Sequence, residues 1–415
     1  MHIFDMPNEL LLWMVASLSI LDLYNFCSTC RQISALLGSR LRSRVVVDED
    51  GTGVLKWAVK HGHGPLAELA ISLGADMHIR YDAEGTADYG WRNLLDWAAF
   101  YGHSNIIHIL FKHGARVDDE VFQLVAPGSL HMAAVNGRSE AAKALLELGA
   151  DMTIVNEDNE MPAHIAARGS ISCLQAFIDA GFDLNTKGCY QGTVLHIAAQ
   201  FASVEMMEYL LEKEEMKKAV NDQSCLGHTP LHLAILNSDN VKLLLHHGAD
   251  MKARDYFGMT PTHRAACGSI SGLDPESLRT LIDAGFDLSI RARSGRTVLH
   301  YAAEFFQQQD VMEYLVKQPG VIVNAQDSRG VTPLALAMDR CPSPEREWMI
   351  SLLIQYGADL DIKDNLEKTT ADRICQLKPK FQLHRDRYLP WEYGVCTYEP
   401  SYPSESEESE EDLEE

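Results

Sequence analysis

A short phrase of the form Leu-His-x-Ala, with variants, recurs along this chain at an almost constant interval. A second phrase, Gly-Ala-Asp or a close relative, follows most of its copies. The copies of the first phrase begin at Leu55, Leu95, Leu130, Ala163, Leu195, Leu231, Thr262, Leu299 and Leu334. Their average interval is about 35 residues, and a fixed period of this length indicates a chain built by stacking similar supersecondary units.

The clearest copy shows what each position of the unit does. Gly227 permits the positive φ of a tight turn, Thr229 can cap the helix that follows, and Pro230 suits the first position of that helix because it has no amide hydrogen to leave unpaired. Ala234 lets paired helices approach closely, and Gly248 ends the second helix in the left-handed conformation. We therefore predict two short helices per unit, with a turn before each pair.

The two phrases and their spacing resemble the ankyrin repeat, in which a helix, a turn and a second helix are followed by a hairpin finger. The resemblance covers residues 50–375, as about nine repeats and a terminal half-repeat. It implies an all-α solenoid that binds other proteins and has no chemistry of its own. One repeat cannot bury its apolar face alone, so stability is expected from stacking between neighbours.

Residues 1–47 carry a different pattern, whose apolar spacing predicts three short helices with more apolar surface than they can hide. Its landmarks are Met6-Pro7-Asn8-Glu9-Leu10-Leu11, Met14, Leu18, Asp22-Leu23 and Cys30-Arg31. This stretch resembles an F-box, with Met6 and Met14 in place of the family's leucine and isoleucine. The resemblance implies docking onto the adaptor subunit of a cullin-RING ubiquitin ligase. The residues expected to contact the adaptor are Pro7, Leu10, Leu11, Met14, Leu18, Asp22 and Leu23.

The two resemblances together imply the substrate receptor of an SCF-type ubiquitin ligase, with the adaptor on the F-box-like domain and an unidentified protein substrate on the repeats. The alternative is a plain interaction scaffold whose N-terminal helices only cap the array. An enzyme is not expected, because the chain has no nucleotide-binding loop, nucleophile elbow or His-Glu-x-x-His motif. We accordingly predict no catalytic residues and no cofactor.

Substrate contacts are expected at the finger tips and on the free face of the first helices, where packing does not dictate the residue type. Aromatic residues and arginines are the favoured anchors of protein interfaces. The candidates on fingers are Tyr190, Tyr256, Phe257, Arg291, Arg293 and Arg329, and those on first helices are Tyr101, Phe201, Phe305 and Phe306. Ordinary packing is an equally good interpretation of Phe201 and Phe305.

Composition argues against several classes of partner. The chain has 36 basic and 59 acidic residues and a net charge of −23, which disfavours binding to nucleic acid or to an anionic membrane surface. Residues 404–415 are predicted to be a disordered acidic tail, preceded by a C-terminal arm at 376–403. Nine cysteines without a framework spacing, and a start without the charged region of a signal peptide, predict the cytoplasm or the nucleus.

Histidine recurs in the repeated phrase, at His131, His164, His196, His232, His263 and His300. One histidine per repeat is too widely spaced for a shared metal ion, and the ankyrin resemblance implies hydrogen bonds to the backbone of the turns instead. Cys27 and Cys30 form a CxxC pair, but no second pair of Cys or His stands at zinc-finger spacing. No metal site is predicted.

Overall fold

The computed structural model describes residues 54–72, 74–78, 93–117, 128–156, 158–188, 191–267, 274–305, 309–338 and 344–370. The chain divides into two compact units, residues 1–293 and 294–415. The predicted F-box-like domain at 1–47, the arm at 376–403 and the acidic tail at 404–415 lie outside the described residues. Within those ranges the regular elements are helices, apart from one isolated bridge between Lys363 and Thr369. The predicted all-α class is confirmed.

Helices of the first unit follow one another in pairs, and the first helix of each pair contains one copy of the repeated phrase. They are α1 (Val54–Lys60), α2 (Gly64–Ser72), α3 (Leu94–Tyr101), α4 (Ser104–Lys112), α5 (Ser129–Val135), α6 (Ser139–Glu147), α7 (Pro162–Ala166), α8 (Ile171–Asp179), α9 (Val194–Phe201), α10 (Val204–Leu211), α11 (Glu214–Lys218), α12 (Pro230–Leu233), α13 (Ser238–His246), α14 (Pro261–Ala265) and α15 (Pro275–Asp283). Helix α11 is an addition after the fifth pair. Short 3-10 helices, Ala219–Asn221 and Ala234–Leu236, follow α11 and α12.

Stacking in the first unit is ordered by position within the pair. Each first helix packs against the first helix of the next pair, and most second helices pack against second helices in the same way. In the second unit, α16 (Val298–Phe305) packs against α18 (Pro333–Met338), and α17 (Gln309–Val316) packs against α19 (Pro344–Gln355). Since these contacts lie within one pair or join neighbouring pairs, each unit is stabilised repeat by repeat.

The predicted roles in the clearest copy agree with its structure. Gly227 has a φ of 76°, and Gly248 ends its helix with a φ of 85°. Pro230 is the first residue of α12, and Ala234 is fully buried. The small side chain of Ala234 is therefore what allows the surrounding helices to approach one another.

Where a pair of helices has the repeated histidine, that side chain connects the pair to the finger that follows. In His232, Nδ1 accepts a hydrogen bond from the Thr229 amide (3.1 Å), and Nε2 donates to the carbonyl oxygen of Met259 in the next finger (3.1 Å). The acceptors for the other Nε2 atoms are Glu160 for His131, Thr186 for His164, Asp222 and His228 for His196, Ile290 for His263 and Val331 for His300. The predicted bonding of these histidines to turn backbone is confirmed.

One turn of the second unit has a left-handed backbone conformation at a residue that is not glycine. Glu367 has a φ of 59° at the position where Gly258 and Gly330 stand in other fingers. Because a side chain in the left-handed region costs about 1–2 kcal/mol, Glu367→Gly should raise the free energy of unfolding by about 1 kcal/mol. Urea unfolding of the full chain, followed by circular dichroism, measures this difference.

The substitution also removes an exposed ion pair, in which Lys363 Nζ lies 3.1 Å from Glu367 Oε2. Such pairs contribute little, and Lys363→Ala measures that contribution alone. A Glu367→Gly variant no more stable than Lys363→Ala would show that the left-handed turn carries no strain.

Candidate functional site

Three successive fingers of the first unit expose large side chains at their tips. Leu226 is 38% exposed, Tyr256 is 58% exposed and Phe257 is 64% exposed. Three arginines on the same fingers also face solvent. The name finger surface is used below for this set, which consists of Leu226, Arg254, Tyr256, Phe257, Arg291 and Arg293.

The middle finger is held by a buried carboxylate. Asp255 is 3% exposed, and its Oδ1 accepts hydrogen bonds from the amides of Phe257 (2.9 Å) and Met259 (2.8 Å). Burial alone raises the pKa of Asp255, but the hydrogen bonds that its carboxylate accepts, including those from the two amides, outweigh burial, so that the pKa is lowered. The ionised carboxylate therefore fixes the loop that presents Tyr256 and Phe257.

Neighbouring fingers are joined through their backbones. The Tyr256 amide donates to the Leu226 carbonyl oxygen (3.1 Å), and the Arg293 amide donates to the Phe257 carbonyl oxygen (3.0 Å). This register places Leu226 next to Tyr256, and Phe257 next to Arg293. The tips consequently form one row with a fixed order of apolar, aromatic and cationic side chains.

Arg254 makes a second connection between two of these fingers. Its Nη1 donates to the carbonyl oxygens of Gly258 (3.0 Å) and Arg291 (2.8 Å). The guanidinium therefore orders backbone on both fingers while the side chain remains exposed. This residue was not among the predicted candidates, because the bond that joins the two fingers goes to Arg291, 37 residues away.

Beneath the finger surface lies a polar cluster of His228, Asp255 and Arg264. Arg264 Nη1 lies 2.9 Å from His228 Nε2, and Arg264 Nε donates to the His232 carbonyl oxygen (3.2 Å). Because a guanidinium only donates, His228 Nε2 is the acceptor and its proton resides on Nδ1. Burial lowers the pKa of Arg264, whereas the charge of Asp255 opposes that shift. Arg264 thus offsets the Asp255 charge below the surface.

Gly258 allows the close approach of the fingers. Its φ is 71°, and a Cβ at this position would lie 2.7 Å from the Arg293 amide nitrogen. Gly258→Ala should therefore combine backbone strain with a clash and lower the free energy of unfolding by about 2–3 kcal/mol. Urea unfolding of the full chain measures the loss.

Gly248 provides the matched control for this prediction. Its φ is 85°, but a Cβ there would meet nothing within 4 Å, so Gly248→Ala isolates the backbone strain of about 1 kcal/mol. Equal losses in the two variants would mean that the contact between Gly258 and Arg293 does not constrain the fingers.

The candidates on first helices occupy a different environment. Phe201 is 51% exposed at the end of α9, and the Arg168 guanidinium lies 4.8 Å from its ring centroid. Tyr101 is half-buried against Trp97, with ring centroids 5.7 Å apart. Phe305 is half-buried in the second unit. The structure therefore places Phe201 in solvent and leaves the other two partly packed.

The remaining candidates are divided between the two units. Tyr256, Phe257, Arg291 and Arg293 lie together on the finger surface. Arg329 is exposed on a finger of the second unit. Outside the described residues lie Tyr190, Phe306 and the seven predicted adaptor contacts, Pro7, Leu10, Leu11, Met14, Leu18, Asp22 and Leu23.

The described residues give no support for a metal site, a membrane span or a reactive thiol. In the residues that the structure describes, no group of three His, Cys, Asp or Glu side chains is arranged to hold a metal ion. Across those ranges no helix combines the length and the apolar character needed to cross a membrane. Cys173 is buried, and burial raises the pKa of its thiol to about 12, which keeps the thiol protonated.

Comparison with known proteins agrees with the repeated helix pairs of the structure. Residues 130–222, 214–288 and 270–364 match the family described as Ankyrin repeats (3 copies), and these segments contain the whole finger surface. The chain is 26% identical over 354 residues to the E3 ubiquitin-protein ligase KEG of Arabidopsis thaliana, covering 81% of this chain and 21% of that protein.

Two further relatives are similar over shorter regions. The B-cell lymphoma 3 protein homolog of Mus musculus is 33% identical over 190 residues, covering 44% of this chain and 41% of that protein. Protein VAPYRIN-LIKE of Medicago truncatula is 29% identical over 239 residues, covering 52% and 49%. The chain thus spans less than half the length of each of these three relatives.

Proposed function

Since this chain belongs to the ankyrin-repeat family, we propose that its finger surface is where it binds a partner protein. Ankyrin repeats are protein-interaction modules, and the chain is a protein-interaction scaffold in this broad sense. The observation that carries the proposal is the exposure of Tyr256 and Phe257 on a loop that buried hydrogen bonds hold in place. Exposed aromatic side chains on a rigid support are typical of interface anchors.

The rigidity of these fingers lowers the free-energy cost of binding. A side chain or loop that becomes ordered on binding reduces affinity by about 0.5–1.5 kcal/mol per immobilised side chain. The backbone of the middle finger is already fixed by Asp255, Arg254 and the bonds to the neighbouring fingers. Little further ordering is needed, and the buried area of two aromatic rings contributes directly to affinity.

Affinity purification from cells tests this proposal. Tyr256→Ala with Phe257→Ala should remove the partners that wild-type protein recovers, as identified by mass spectrometry. Phe111→Ala is the matched control, because Phe111 is 41% exposed on α4, outside the finger surface. Recovery of the same proteins by all three forms would place the binding site elsewhere.

We further propose that the chain is the substrate receptor of a cullin-RING ubiquitin ligase, with residues 1–47 docking the adaptor. The sequence from Met6 to Leu11 and the landmarks after it support this role. So does similarity to a protein named as an E3 ubiquitin-protein ligase. In this proposal the chain is not an enzyme, contributes no catalytic group, and acts in the cytoplasm or the nucleus. The competing proposal is a scaffold without a ubiquitin-ligase role.

Two double variants, one in residues 1–47 and one on the finger surface, distinguish adaptor binding from partner binding. Leu10→Asp with Leu11→Asp should abolish adaptor recovery, since each buried leucine contributes roughly 1.5–3 kcal/mol and a carboxylate would have to be desolvated. The same variant should retain the partner and cause it to accumulate in cells. Tyr256→Ala with Phe257→Ala should do the reverse.

Immunoprecipitation of each form, probed for the adaptor and for ubiquitylated partner, measures both outcomes. The far-ultraviolet circular dichroism of the two double variants should match that of the wild type, because neither change touches a buried position of the described repeats. If wild-type protein never recovers the adaptor, the scaffold alternative is correct.

A further inference from the structure

We propose that the finger surface recognises an acidic, extended segment of the partner that also carries an apolar side chain. The inference rests on the proposed role of this surface in protein binding and specifies the chemistry of the partner. It follows from the charge of the tips, the order of side chains along them, and the contrast with the rest of the chain.

The tips are positive in a chain whose net charge is −23. Arg254, Arg291 and Arg293 are exposed on two adjacent fingers, whereas Asp255 between them is 3% exposed and buried beside Arg264. The charge that reaches solvent from these two tips is therefore that of the arginines. A partner segment rich in carboxylates complements this surface. The rest of the chain is negatively charged and repels most other acidic proteins.

The spacing of two arginines suits a chain-like ligand. Ala292, between Arg291 and Arg293, is only 6% exposed, so a buried residue separates two exposed cationic side chains. Each guanidinium can donate two parallel hydrogen bonds to one carboxylate, and this bidentate pairing gives directional as well as electrostatic selectivity. An extended segment with acidic residues at alternate positions, about 7 Å apart, presents its carboxylates at a matching interval.

The apolar part of the surface continues from the arginines in a fixed order. Phe257 lies beside Arg293 through the bond between their backbones, and Tyr256 lies beside Leu226 through the equivalent bond one finger earlier. A segment lying across the fingers would bring its carboxylates to Arg291 and Arg293 and an apolar side chain to the rings and Leu226. Both kinds of contact are therefore available to one short peptide.

Selection of random peptides displayed on phage, against the full chain, tests this chemistry. Enriched peptides should contain aspartate or glutamate together with an aromatic or aliphatic residue. Their affinity, measured by fluorescence anisotropy, should fall at least about tenfold in Arg291→Glu with Arg293→Glu, and should weaken as salt concentration rises. Oligothymidylate should not compete with the peptide, because the negatively charged rest of the chain repels the phosphates of a nucleic acid.

A control variant makes the same change in net charge elsewhere in the first unit. Lys112 and Lys143 are exposed on α4 and α6, with side-chain exposures of 67% and 48%. Lys112→Glu with Lys143→Glu should leave peptide affinity within about twofold of the wild type, because exposed charges at a distance are screened by salt. Thermal unfolding of both double variants checks that the repeats remain folded.

Several outcomes would overturn the inference. One is that no peptide is selected, and another is that the selected peptides contain no acidic residue. A third is that the affinity of the peptides does not change in Arg291→Glu with Arg293→Glu. Loss of such peptides in Tyr256→Ala with Phe257→Ala would still support the proposed binding surface. Competition by oligothymidylate would point to a nucleic acid. A tenfold gain in peptide affinity on deletion of residues 404–415 would identify the chain's own acidic segment as the occupant.

Discussion

The chain is expected to lose several kcal/mol of folding free energy as the pH falls from about 6.5 to about 4. Burial lowers the pKa of His196 and of His232 to about 4, against an ordinary value of about 6.5. Burial also lowers the pKa of His131 and His164. In the folded chain these imidazoles are therefore neutral at pH values where an unfolded chain would bind protons.

The sign of the effect follows from which state binds the proton. Above about pH 6.5 the histidines are neutral in both states, and their stabilising contribution is complete. Between about 6.5 and 4 the unfolded state takes up protons that folded His196 and His232 do not, so stability falls with falling pH. Below about 4 both states are protonated and the loss ends. Each of these two histidines contributes up to about 3 kcal/mol to the fall.

Urea unfolding at half-unit steps of pH, on the wild type and on His232→Gln, measures this dependence. The variant should be less stable at pH 7, because the bonds to Thr229 and Met259 are disturbed. It should also lose less stability between pH 6.5 and 4, because glutamine does not titrate. Carboxylates contribute mainly below about pH 4, outside this window. Parallel curves for the two proteins would contradict the assignment to His232.

Ala234→Asp is expected to lower the free energy of unfolding by about 3–5 kcal/mol. Ala234 is fully buried, and its 3-10 helix, Ala234–Leu236, packs against α9, α12, α13, α14 and α15. A carboxylate there would be desolvated among helices of three successive repeats. The damage should therefore reach the repeats on both sides, which amide hydrogen exchange can follow in α9 and α14.

Leu226→Asp is the matched control for this prediction, since it places the same carboxylate in the same repeat. Leu226 is 38% exposed at a finger tip, so the new charge remains hydrated and its cost should stay below about 1 kcal/mol. Equal losses in the two variants would mean that the packing around Ala234 is not the source of the effect.

Much of the repeat was predictable because its positions obey local rules. Pro230 begins a helix, Gly248 ends one, and Ala234 is buried, as the phrase itself indicates. The bond from His232 to the following turn was also predicted, from the ankyrin resemblance. For Phe201, ordinary packing and an exposed binding role were equally good interpretations of the sequence. The structure places half of the side chain in solvent beside Arg168.

The contacts that sequence reasoning missed join residues of different repeats or of different positions within one repeat. Arg264 reaches His228 across 36 residues, a distance at which no local pattern applies. Glu160 and Arg168 form an ion pair of 2.6 Å in the fourth repeat. Arg296 and Glu304 form another of 2.6 Å at the corresponding positions of the eighth, with the charges exchanged.

The exchange of charges between these two pairs explains why they escaped prediction. A search for one residue type at a fixed position finds acid in one repeat and base in the other, and so finds no pattern. The physical requirement is only that the two positions carry opposite charges, because both side chains meet in either arrangement.

The bond from each histidine to the next finger determines where the chain can be shortened. A fragment that ended with α13 would keep His232 but lose its acceptor on Met259, together with the finger that contains it. The last complete helix pair would then lose this hydrogen bond, which contributes about 0.5–1.5 kcal/mol, and its imidazole would be exposed to water. Stable fragments should therefore end after a finger, and the natural unit of dissection runs from one histidine to the turn that accepts its hydrogen bond.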